Sequence, residues 1–95
     1  MKLTIIRADG AVYKNGVSYS GLDLTAVPAN VHALQWYETE GEVEFINNPD
    51  KTKPQNELIS ELPVWANACV AKWDEAKAAV EAARIAAIEN LSVES

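Results

Sequence analysis

Four glutamates, Glu38, Glu40, Glu42 and Glu44, crowd the stretch Tyr37-Glu-Thr-Glu-Gly-Glu-Val-Glu-Phe45. Carboxylates this close can divide acid from base work when burial splits their pKa values. They can also hold a metal ion or dock a basic partner. Strand alternation argues against a catalytic pair. Val43 and Phe45 point one way and Glu42 and Glu44 the other, while a turn over Glu38 to Gly41 leaves the other two in water. Water screens such groups and keeps them ionised, and a chain of 95 residues is too short to wall a sugar cleft around them. The bend reads as a solvated face that tunes association. Its candidate protein-binding residues are Glu38, Glu40, Glu42 and Glu44, with Tyr37 beside them.

Other chemistry finds less support. His32 and Cys69 are the single histidine and the single cysteine, and they fall in different elements. A structural zinc site needs four such ligands, commonly in close pairs, so neither metal nor cofactor is expected. Asn47-Asn-Pro-Asp50 lacks the glycine and terminal glutamate of a calcium-binding loop. His32 reads as a strand residue with a satisfied hydrogen bond. Gly16-Val-Ser-Tyr-Ser-Gly21 superficially matches a serine-hydrolase elbow, but no serine has a glycine two residues away on both sides. There is no glycine-rich phosphate loop and no interleaving of basic and aromatic residues. No catalytic residue is assigned, and the chain reads as a non-enzyme.

Charge narrows the partner. With 14 acidic residues against 8 Lys and Arg, the formal charge is −6. Binding to nucleic acid needs clustered cations that displace counterions from phosphate, and an anionic membrane repels an acidic chain. A basic protein partner fits. A lone cysteine rules out an internal disulfide and suits a reducing compartment. The apolar run after Met1 ends at Arg7, too short for a secretion signal, and no run approaches the roughly 20 apolar residues of a membrane helix. A soluble protein made in a cytoplasm is expected.

These residues are positioned by two kinds of element. Lys2 to Arg7, Ala11 to Lys14 and Val17 to Ser20 read as short strands around Asp9-Gly10 and Asn15-Gly16, both type I′ hairpin signals. Gly21 to Asn30 is a connector. Val31 to Tyr37 and Glu42 to Ile46 form the next hairpin, with Leu34 and Trp36 on one face and Gln35 and Tyr37 on the other. The proline-containing stretch 47–58 reads as a hinge loop. A helix over 61–90 follows, capped by Ser60, with Pro63 tolerated in its first turn. Trp65, Cys69, Trp73, Ala76, Val80, Ala83 and Ala87 recur at helical spacing. Such a helix is about 45 Å long, against a radius of gyration of about 12 Å for a compact body of this size. Its first turns, with both tryptophans, are expected to dock on the sheet. The rest, a mostly alanine stripe with Ile85, Ile88 and Leu91, is expected to project, with Ile85 and Ile88 as candidate protein-binding residues. The fold class is therefore α+β, with a small antiparallel β domain over 1–58 and a C-terminal helix over 59–95.

Three strings carry a resemblance: Asp9-Gly-Ala-Val-Tyr-Lys-Asn-Gly-Val-Ser-Tyr-Ser-Gly-Leu-Asp-Leu24, Val31-His-Ala-Leu-Gln-Trp36 and Gly41-Glu-Val-Glu44. They resemble small proteins of tailed bacteriophages encoded beside tail-fibre genes, the tail-fibre-associated or tail-fibre assembly type. The resemblance covers roughly residues 3–46 and, in general character, the Trp-containing, alanine-rich helix. It implies a non-enzymatic accessory protein that binds tail-fibre or baseplate protein. Such a protein assists assembly in the bacterial host cytoplasm or remains in the virion tail. Two alternatives stay open: a structural fibre or baseplate subunit that forms a homo-oligomer through the helix, and a small acidic inhibitor of a host factor.

Overall fold

The computed structural model describes residues 1–94, with residues 89–94 described by their backbone alone. Leu91 and the Asn90-Leu91-Ser92 triplet therefore lie outside the described side chains. Six strands form one open antiparallel sheet: β1 (Lys2–Ile6), β2 (Ala11–Lys14), β3 (Val17–Tyr19), β4 (Val31–Tyr37), β5 (Glu40–Phe45) and β6 (Glu57–Ile59). Their spatial order is β3-β2-β1-β4-β5-β6. One long helix, α1 (Val64–Glu94), follows. The class is α+β.

Period-two alternation sets the two faces. In register, Leu3 sits beside Trp36, Ile5 between Val12 and Leu34, and Leu34 beside Val43. These residues are buried and form the core with Ala66, Cys69 and Trp73 of α1. At about 1.5–3 kcal/mol for each buried large aliphatic side chain, this layer dominates the stability of the sheet. The opposite face carries Tyr13, Thr4, Gln35, Glu42 and Leu58 in one cross-strand row. No helix covers it.

The turns depart from the sequence reading in two places. Asn15-Gly16 is the tight hairpin expected, with φ of 50° and 85°. Asp9-Gly10 is not. There Ile6 pairs with Ala11, so the loop spans Arg7 to Gly10, and only Gly10 takes positive φ. The reason is packing. Leu22 N–H donates to the Gly10 carbonyl at 2.9 Å, and a Cβ on Gly10 would lie 2.9 Å from the Leu22 oxygen. The β3–β4 connector presses on this turn and buries Leu24 and Val27 in the core.

The second departure is at the acidic bend. Tyr37 pairs with Glu40, so the turn is Glu38-Thr39, with Glu38 itself at φ 54°. Gly41 is a strand residue, not a turn residue. A Cβ there would overlap the Gln35 carbonyl and sit 2.9 Å from Trp36 Cε3. Gly41 makes room for the indole.

The region after β5 also differs. The expected hinge loop over 47–58 ends in strand β6, which pairs with β5 and crosses the boundary drawn at 58. Helix α1 starts later and ends later than the expected 61–90. Ser60 is not its cap, because the Pro63 carbonyl accepts from the N–H groups of Ala66 and Asn67. Pro63 thus holds the position before the first helical residue, where its missing N–H costs nothing.

Candidate protein-binding surfaces

The glutamates expected to act together separate into two environments. Glu38 Oε2 lies 2.6 Å from the Met1 ammonium. That hydrogen bond, reinforced by the positive charge, holds the Glu38 carboxyl below the usual glutamate range. Glu40, Glu42 and Glu44 stand opposite Tyr37, Gln35 and Ala33 on the uncovered face. Glu42 and Glu44 are half-buried and Glu40 is exposed. Tyr37 is 55% exposed beside them. With Gln35, Gly41, Leu58, Ile59 and Ser60, residues 37, 40 and 42 line a surface groove of about 460 Å³ that runs from β4 to β6.

The helix presents a second surface. Its docked part is held by Trp73, whose Nε1 donates to the Val17 carbonyl at 3.0 Å. Trp73 packs edge-on against Tyr19 with centroids 5.5 Å apart. Lys14 Nζ lies 4.8 Å from the indole centroid and 3.2 Å from Asp74. Trp65 is half-buried, and Ala66, which the expected stripe omitted, is fully buried. From Lys77 to Ile88 every residue is exposed. Val80, Ile85 and Ile88 have 52%, 56% and 54% of their surface in water.

Among the described residues the other reactive groups lie apart. Cys69 is 1% exposed, and burial pushes its thiol pKa up, which suppresses the nucleophilic thiolate. His32 is exposed at a bulge between Val31 and Ala33. Its carbonyl accepts from Arg7 N–H, but among the described residues its ring gains no hydrogen bond, contrary to expectation. Ser18 on β3 and His32 on β4 are separated by β2 and β1, or roughly 14 Å at the usual strand spacing. Among the described residues no group of three His, Cys, Asp or Glu could hold a metal ion. Nor is any described helix long and apolar enough to cross a membrane.

Several exposed apolar residues escaped the sequence reading, Leu58 and Tyr13 among them. Leu58 is 80% exposed on β6, and Tyr13 is exposed on the uncovered face. The only sequence signal for Leu58 was an isolated leucine in a polar segment, which also fits a loop. No protein-family model, curated protein or solved structure matches the chain.

Proposed function

We propose that this chain is a non-enzymatic bacteriophage tail accessory protein that binds tail-fibre or baseplate protein. The observation that carries a binding role is the exposed stretch of α1 from Lys77 to Ile88, including Val80 and Ile85. Alanine-rich sequence favours the helix there without tertiary support, and the docked turns nucleate it. The helix thus offers a rigid rod with scattered apolar contacts beyond the sheet. The tail-fibre partner comes from the resemblance of Asp9 to Leu24, Val31 to Trp36 and Gly41 to Glu44.

The test is co-expression with tail-fibre and baseplate subunits of a tailed phage, capture through a tag on this chain, and mass spectrometry of purified virions. Capture of a fibre or baseplate subunit is expected. Absence of both capture and virion incorporation would refute the reading.

A second reading is favoured by one specific pattern. Cys69, Trp73, Ala76, Val80, Ala83 and Ala87 repeat at alternating spacings of four and three, the seam of a coiled coil. The sheet covers only its first half. A structural subunit that trimerises through this seam would sediment as a trimer, and the accessory protein as a monomer.

A further inference from the structure

The two edges of the sheet are finished differently. At β3, the Trp73 indole N–H caps the Val17 carbonyl, and the Lys14–Asp74 pair ties the neighbouring strand to α1. At β6, nothing comparable exists among the described residues. Among the described residues, no hydrogen bond reaches β6 from the side away from β5. A strand edge with free N–H and C=O groups is a template for another chain. The stretch from Gln55 to Leu62 contains no proline, so each residue keeps its N–H. Leu58 projects beside the groove that Tyr37 and Glu42 also line.

Charge selects the occupant. Strands β5 and β6 with Glu61 carry Glu40, Glu42, Glu44, Glu57 and Glu61 and no cation. The nearest cations in the preceding sequence are Lys51 and Lys53, in the loop before β6. A second copy pairing edge to edge would bring two such sets of carboxylates together, which like-charge repulsion opposes. An acidic strand is excluded for the same reason. We propose that the free edge of β6 takes up an extended basic segment of the partner protein as an added strand. A basic residue would stand opposite Glu57 and an apolar one opposite Leu58. This inference rests on the protein-binding role proposed above and names the chemistry of the segment bound.

The experiment is a titration of the full isotope-labelled chain with a ten-residue peptide alternating lysine and valine, followed by amide NMR shifts. Two controls are the same alternation with glutamate and a proline-interrupted lysine–valine peptide. The expected result is shifts concentrated at residues 57–61, weakening as salt rises, with little response to either control. Replacing Glu57 and Glu61 together by lysine changes only exposed side chains and should weaken binding roughly tenfold. Shifts centred on residues 77–88, equal binding of either control, or concentration-dependent self-association through β6 would overturn the proposal. Capture of tail-fibre protein without shifts at β6 would refute the edge and spare the accessory role. Edge binding of the peptide with neither fibre nor baseplate capture and no virion incorporation would support the edge and refute the tail assignment.

Discussion

The two halves of helix α1 share one repeat and meet different fates. Ala66, Cys69 and Trp73 are buried, while Val80, Ala83 and Ala87 continue the same spacing on the exposed stretch. The difference does not come from the local pattern. A helix of 31 residues is about 46 Å long, whereas six strands at about 4.8 Å spacing span only about 24 Å between outer strands. The helix crosses the sheet, reaches β2 and β3 at Trp73, and runs out of surface. The longest axis of the molecule is accordingly 63 Å. A repeat therefore specifies which side of a helix can be buried, but the size of its neighbour decides how much of that side is buried.

The sharpest test compares one residue from each half. Trp73→Ala removes a buried indole, its hydrogen bond and its contact with Tyr19, and should cost about 3–5 kcal/mol. Val80→Ala should stay within about 0.5 kcal/mol. Denaturant unfolding of both variants measures this, and similar losses for the two would break the comparison. The floor beneath the docked half gives a smaller effect. Gly41→Ala drives a Cβ into the Gln35 carbonyl and against the Trp36 indole and should destabilise by about 1–3 kcal/mol. An unchanged unfolding midpoint would mean that the core yields more easily than its packing implies.

Removing the exposed half tests it directly. Truncation after Lys77 should leave the melting temperature within a few degrees, since the side chains lost bury little apolar surface at about 0.8 kcal/mol per methylene. Partner capture should fall. A truncated chain that unfolds would show that the exposed half supports the sheet.

The acidic bend should matter least to stability. Exposed carboxylates repel by about 1 kcal/mol per close pair before salt screening. Changing Glu40, Glu42 and Glu44 to glutamine, with the Glu38–Met1 pair kept, should leave the unfolding midpoint equal or slightly higher, and should slow association with a basic partner at low salt. Unaltered association kinetics would reduce the bend to plain solvated surface. Glu38 adds a pH signature. Its pKa is depressed in the folded state, so its contribution is present above the ordinary glutamate value of about 4.3 and fades as pH falls below it through the folded value. Glu38→Gln should therefore flatten the acid limb of a melting-temperature profile by a small amount. An identical limb would show that the pair with Met1 is not held in solution.

Much of the architecture was legible because its signals are local. Alternation from Val31 to Phe45 assigned Leu34, Trp36 and Val43 to the core side and Glu42 and Glu44 to the other, and the register agrees. Asn15-Gly16 marked its turn because only such residues tolerate positive φ in succession. Gly10 and Gly41 misled because a glycine required by a neighbouring loop or indole looks the same in sequence as one required by a turn. The bulge at His32 was invisible, since alternation gives no warning of one extra residue.

The sequence by itself determined the class, the faces of the central strands and the presence of a long helix. Each follows from period, propensity and turn chemistry over a few residues. Only the tertiary structure decided that β6 joins the sheet, since Glu57-Leu-Ile59 has no strand signal until β5 offers it a ladder. It also decided that Glu38 parts from the other carboxylates, because the end of β1 brings Met1 to that turn. The ends of sheets, the limits of docking and the pairing of distant charges depend on which segments meet, and a local pattern carries no record of that.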